Sequence, residues 1–320
     1  MNTSVSEPKK SAPTLDDLPP PPEENTGWPW TEQSDPLPET QPNGEPWPKI
    51  SIVTPSYNQG QFIEETIRSV LLQGYPNLEY IVMDGGSSDH STDILEKYDP
   101  WIDYWESQED RGQAHAINRG FARAGGRIFA WLNSDDWFAL DALHAAVAAL
   151  SDAPEDVAAV VGKGHMVDKE GAVVYTPETT ELTRDALLDW MEYGHFIQPA
   201  CVFRKSAWDE AGPLREDLTY CFDVALWLSM ADQAEFRRID ETIAYALKHE
   251  EAKTIAQRNR SRAETIVVAA EYGGTDVALK EINKLVDRLE YFESKVEAVV
   301  NHPLYKVYRG IKRIFKGLNS

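Results

Sequence analysis

The sequence predicts an α/β fold, a mixed and mostly parallel sheet with helices on both faces, followed by a helical extension. Three observations lead there. Short apolar runs rich in Val, Ile and aromatic residues alternate with segments whose apolar residues recur at helical spacing. The joints between them are short, as in parallel strands linked by crossover helices. Two of the apolar runs also end in polar, acidic clusters: 78–83 leads into Asp84-Gly85-Gly86-Ser87-Ser88-Asp89, and 128–132 into Asn133-Ser134-Asp135-Asp136. In open α/β sheets ligands bind beyond the carboxyl ends of the strands. Adjacent carboxylates are costly to hold together unless a cation shares them, and a hard divalent ion does so with oxygen ligands.

Residues 1–48 hold twelve of the twenty prolines, with many acids and no period of 2 or 3.6. Such a segment buries too little apolar surface to offset its chain entropy, so a disordered tail is expected. Order is expected from Lys49. Residues 50–53 read as a strand, and Thr54-Pro55-Ser56-Tyr57-Asn58 as the loop that leaves it. Ile63, Ile67, Val70 and Leu71 then fall on one helical face, stopped by Gly74-Tyr75-Pro76. Strand 78–83, helix 93–98, strand 102–105, helix 112–124 and strand 128–132 follow. Helix 139–150 precedes a strand at 157–161 and a hairpin pairing 164–167 with 172–175. From Thr183 the pattern is mostly helical, and 254–300 is a charge-laced helical region broken near Gly273-Gly274. The expected division is a tail (1–48), an α/β domain (49–254) and a helical extension (255–320).

A net charge of −22 argues against nucleic-acid binding through a basic surface. No apolar run approaches the roughly 18–20 residues of a bilayer span, and Met1-Asn2-Thr3-Ser4 lacks a basic region followed by an apolar one. Cys201 and Cys221 have no metal-type spacing and read as buried thiols. A cytoplasmic enzyme is the expectation. Residues 304–318 differ in kind, with five cations, no acid and an apolar stripe at 3–4 spacing. That pattern suits a helix lying on an anionic membrane surface, the alternative being a helix docked on the protein's own core.

Four motifs in order, Thr54-Pro55-Ser56-Tyr57-Asn58, Asp84-Gly85-Gly86-Ser87-Ser88-Asp89, Asp110-Arg111-Gly112-Gln113 with Ala116-Ile117-Asn118-Arg119-Gly120, and Asn133-Ser134-Asp135-Asp136, resemble glycosyltransferase family 2 across 49 to about 250. The resemblance implies the Rossmann-like GT-A fold. It also implies inverting transfer of a sugar from a nucleotide diphosphate, commonly UDP, to a glycan or lipid-linked hydroxyl at the cytoplasmic face of a membrane.

The resemblance assigns roles residue by residue. Thr54, Pro55 and Tyr57 would wall the nucleotide base, and Asp84 would bind base or ribose. Asp110, Arg111 and Gln113 would bound the sugar pocket, and Gln198 the acceptor side. Asp135 and Asp136 would hold Mn²⁺ or Mg²⁺, with Asn133 standing where the fullest pattern has a first acid. His249 would complete the metal sphere or, with Lys253, hold the diphosphate. Asp223, before Leu226-Trp227, would be the general base, with Glu216 and Asp217 as rivals and helix capping as its plain alternative. Asp89 reads first as a cap. A sugar nucleotidyltransferase would carry a glycine-rich basic loop after the first strand, which is absent here. An inactive homologue acting as a scaffold would not need Asp84, Asp135, Asp136 and Asp223 together.

Overall fold

The computed structural model describes residues 12–179, 181–249 and 257–305, the side chains of 192 and 193 excepted. β1 (Ile50–Ser56), α1 (Ile63–Leu71), β2 (Leu78–Asp84), α2 (Ser91–Tyr98), β3 (Tyr104–Ser107), α3 (Gln113–Arg123) and β4 (Ile128–Trp131) alternate as expected. β5 (Asp136–Phe138), α4 (Ala142–Ser151), β6 (Val157–Val167) and β7 (Val173–Tyr175) follow. Next come α5 (Arg184–Leu188), α6 (Trp190–Tyr193), a 3₁₀ turn (Gln198–Ala200), β8 (Cys201–Arg204) and α7 (Lys205–Ala211). The described chain ends with α8 (Phe222–Ala231), β9 (Glu235–Leu247), α9 (Arg258–Glu271) and α10 (Thr275–Asn301).

One sheet holds the strands in the order β3-β2-β1-β4-β8-β6-β9-β5, with β7 on β6. β3, β2, β1 and β4 are mutually parallel, and β8 is antiparallel to both β4 and β6. Every residue of β1 is buried, as befits a central strand covered on both faces. Ile50 and Ile52 join the core that holds Ile63, Ile67, Val70 and Leu71 of α1. On the other face α3 comes so close that a Cβ on Gly120 would lie 2.5 Å from Val53 Cγ1. This arrangement brings the carboxyl ends of β1, β2 and β4 to one edge.

Two expectations are corrected. Residues 12–48 are not a loose tail. Leu18 and Trp47 are buried in the core, with Leu15, Trp28 and Leu37 packed against it. Proline-rich chain lacks N–H groups but keeps carbonyls that need donors, and Arg68, fully buried on α1, supplies them. Its Nε donates to Pro29 O at 3.0 Å, Nη1 to Pro19 O at 2.9 Å and Nη2 to Trp30 O at 3.0 Å. Gly74, at φ +62°, lets the strap pass, because a Cβ there would sit 2.6 Å from Asp35 O. The chain therefore packs as one unit from the N-terminal strap to Val268, with a second unit from Ala269. The region after Thr183 is also less helical than expected, since it contains β8 and the thirteen-residue β9.

Candidate functional site

The loops after β1 and β2 are latched together. Asn58 N donates to Ser87 Oγ (2.7 Å), Ser88 N to Asn58 Oδ1 (2.9 Å) and Gly60 N to Asp89 Oδ2 (2.9 Å). Asp89 Oδ1 accepts from Ser91 N (3.0 Å) in a turn just before α2, whose cap position falls on His90. Asp84 is only 2% exposed, and its carboxylate accepts from Gly86 N, Ser87 N, Ser87 Oγ and Ser107 Oγ. With most of its lone pairs engaged, it shapes the loop more than it offers a face to a ligand. Thr54 and Pro55 are buried within β1, and Thr54 Oγ1 accepts from Tyr80 Oη at 3.1 Å. Of the three residues expected at the base, Tyr57 stands open, 62% exposed.

The acidic motif after β4 divides its labour. Asp136 starts β5, is buried, and accepts from Asn133 Nδ2 (3.0 Å) and Leu247 N (3.2 Å). Burial, then the neighbouring Asp135 charge, pushes its carboxyl well above the usual carboxylate range. Asp136 was expected on the metal beside Asp135. In this structure its carboxylate ties the start of β5 to the end of β9. Asp135, partly open, has its Oδ2 2.9 Å from His249 Nε2. Phe62 packs on the His249 ring, centroids 5.1 Å apart. Lys253, expected with His249, lies outside the described residues.

Three amides form a chain that meets Asp136 at Asn133. Gln113 Nε2 donates to Asn133 Oδ1 (2.7 Å), Asn133 Nδ2 reaches Gln198 Oε1 (3.4 Å), and Gln198 Nε2 donates to Trp131 O (2.9 Å). The structure thus brings together three residues expected separately on donor and acceptor sides. Asp110 Oδ1 accepts from Gly112 N at 2.6 Å, opening α3.

Asp223 lies in the first turn of α8, partly buried, its Oδ1 accepting from Val224 N at 2.8 Å. Burial first, and the charge of Glu264 as well, raise its carboxyl to about 6. One turn on, Trp227 stacks on Trp131 at the end of β4, centroids 5.3 Å apart and planes 13° from parallel. Its rivals are committed elsewhere. Arg111 grips Glu216 through Nε (3.0 Å) and Nη2 (2.6 Å), and Arg215 Nη2 holds Asp217 (2.6 Å), each guanidinium lowering the carboxyl it binds. A base must be able to take a proton near working pH, which favours Asp223 over both. The Arg111–Glu216 clasp was not foreseen, because its residues lie 105 apart in sequence.

Together the mixed sheet and the acidic loop at its carboxyl edge define a GT-A glycosyltransferase domain. Residues 51–212, just over half the chain, match the family model for glycosyl transferase family 2, and the chain belongs to that family. A Bacillus subtilis glycosyltransferase named for teichuronic acid biosynthesis, TuaG, is 42% identical over 100 residues, 30% of this chain and 40% of that protein. The chain thus spans about two fifths of this relative's length. Among solved structures, Staphylococcus aureus TarS 1–349 in complex with UDP-GlcNAc superposes with TM-score 0.57 at 20% identity, covering 70% of this chain and 66% of that one. The mannosyltransferase PcManGT of Pyrobaculum calidifontis, in complex with GDP-Man and Mn²⁺, gives 0.53 at 15% identity, covering 87% and 86%. These two likenesses concern the fold.

Proposed function

We propose that the chain transfers a sugar, with inversion, from a UDP-sugar to a hydroxyl of a glycan or lipid-linked acceptor in polysaccharide biosynthesis. The observation that carries this reading is the separation of two acids. Asp135 is partly open and paired with His249, while Asp223 has a raised pKa on a helix braced against β4. The sugar nucleotides bound by TarS and PcManGT, and the polysaccharide role in TuaG's name, support the donor and acceptor classes.

Asp135 and His249 fit Mn²⁺ or Mg²⁺ as one oxygen and one nitrogen donor. No group of three or more His, Cys, Asp or Glu placed to hold an ion occurs among the described residues, so the remaining ligands of such an ion would have to come from diphosphate and water. Such an ion, when bound, neutralises charge on the departing diphosphate. Asp223 takes the proton of the acceptor hydroxyl as its oxygen bonds to the anomeric carbon. The bond from that carbon to the diphosphate breaks in the same displacement, and the configuration inverts. Gln113, Asn133 and Gln198 offer amides to sugar hydroxyls, and Tyr57 a ring to the base.

A panel of UDP-glucose, UDP-galactose, UDP-N-acetylglucosamine and GDP-mannose with Mn²⁺ tests the reading through nucleotide release. Release from a UDP-sugar is expected. Nucleotide binding without turnover on any member would support a scaffold instead.

No helix among the described residues is long and apolar enough to cross a membrane. Apart from Leu304 and Tyr305, the basic stretch 304–318 lies outside the described residues. We propose that it rests on an anionic membrane surface, holding the enzyme at the cytoplasmic face near a lipid-linked acceptor. Each Lys or Arg near such a surface contributes about 1 kcal/mol. The full chain should sediment with anionic vesicles in a salt-sensitive way, and a chain ending at Asn301 should not. Equal sedimentation of the two would contradict it.

A further inference from the structure

The segment that leads into α8 is held from a distant part of the chain. Its N-terminal flank is Thr219-Tyr220-Cys221, and the helix cap position falls on Cys221, whose side chain is not a capping acceptor. Glu264, on α9, instead holds the residues that lead up to that position. Its Oε1 accepts from Thr219 N at 2.8 Å, and its Oε2 from Tyr220 N at 2.6 Å and Cys221 N at 3.0 Å. The Cys221 thiol adds a fourth contact at 3.4 Å. Just before α9, Gln257 Oε1 accepts from Tyr220 Oη at 3.0 Å. Charge-assisted bonds of this kind are roughly twice as strong as neutral ones, and a carboxylate suits the positive end of a helix dipole. Three consecutive backbone N–H groups on one carboxylate leave the flank little freedom. Asp223 follows two residues later.

We infer that Glu264 is a positioning residue: from α9 it fixes the flank of α8 and thereby the place of Asp223, an inference that rests on Asp223 being the base. Glu264 lies outside the 51–212 segment matched by the family model, in the region the sequence marked as a helical extension. A residue beyond that segment, within the unit that ends at Val268, therefore completes the site.

The same carboxylate has an electrostatic consequence. Two cations on helices packed against α8 are paired with acids: Arg184 of α5 binds Asp232 at the far end of α8, and Lys205 of α7 binds Asp209. Among the described residues, the charge that acts on Asp223 is that of Glu264, with the Cys221 thiol alongside, itself pushed up by burial and by both acids. Removing the Glu264 charge therefore lowers the pH at which Asp223 ionises.

Three variants of the full chain, Glu264→Gln, Glu264→Asp and Asp223→Asn, test this with the best donor of the panel. Glu264→Gln should cut kcat by roughly 10- to 100-fold, the scale of a displaced catalytic group, with donor KM within about two-fold of wild type. The midpoint of its acid limb should fall by roughly half a pH unit, and amide exchange at 219–221 should quicken. Glu264→Asp keeps the charge and should hold the acid limb near the wild-type position. Should Glu264→Gln fail to fold, Glu264→Asp decides, through loss of kcat with an unmoved limb. Unchanged kcat, limb and exchange in the folded Gln variant would overturn the inference. If Asp223→Asn abolishes turnover while Glu264→Gln is wild type, the positioning role alone falls. If Asp223→Asn turns over normally, the reading of the base falls and this inference with it.

Discussion

Asp223→Asn is expected to lower turnover by about 10²–10⁴-fold, the usual contribution of a general base, while leaving nucleotide affinity near wild type. The amide keeps the shape and the acceptor for Val224 N but cannot take a proton. Only the transition state uses that property, so the loss should fall on kcat. The pH profile carries the same signature. With a carboxyl at about 6, the wild-type rate should climb through pH 6 and level above it. The residual Asn activity should lack that limb. Stability moves the opposite way. A carboxyl raised in the fold binds more protons folded than unfolded between about pH 4 and 6, so its contribution falls as pH rises through that window. Asp223→Asn should therefore be at least as stable as wild type at pH 8, as thermal unfolding will show. Wild-type kcat in this variant would return the role to Glu216 or Asp217, despite their guanidinium partners.

Asp135→Ala should lower turnover by roughly 10²–10³-fold, the scale for removing one electrostatic stabiliser of developing charge, and abolish any response to Mn²⁺. His249→Ala should weaken metal affinity without touching the acid limb set by Asp223. Asp136→Asn is the informative contrast. It retains an acceptor for Leu247 N and removes a carboxyl that burial already disfavours in its charged form, so the Mn²⁺ response should survive. Equal losses from Asp135→Ala and Asp136→Asn would mean that the two acids act together after all.

The strands that deliver the site were legible because each is a short apolar run bounded by Gly, Pro or acid, as in 78–83 and 128–132. β9 was not. Its pairing with β6 shifts register three times, between Val157 and Ala159 and twice around Lys163, which breaks the period-2 pattern a strand would show. The strap 12–48 hid its order for a different reason. Its anchors, Leu18, Trp28, Leu37 and Trp47, are far apart, and the donors for its carbonyls sit on Arg68 of another segment. Within the site, the acids were legible as a pair, but their separate surroundings were not. Asp136 is the first residue of β5 and Asp135 the last of the loop, so their side chains face different neighbours, Leu247 and His249. Nothing local marks Glu264, whose partners lie 43 to 45 residues earlier.

Titration calorimetry of UDP into the full chain, with and without Mn²⁺, for wild type, Asp135→Ala and Asp223→Asn, tests most directly the claim that one acid serves the diphosphate and the other the acceptor. Binding strengthened by Mn²⁺ in wild type and in Asp223→Asn, but not in Asp135→Ala, is the predicted result. Binding that ignores Mn²⁺ in all three proteins, or that fails in Asp223→Asn as it does in Asp135→Ala, would contradict it.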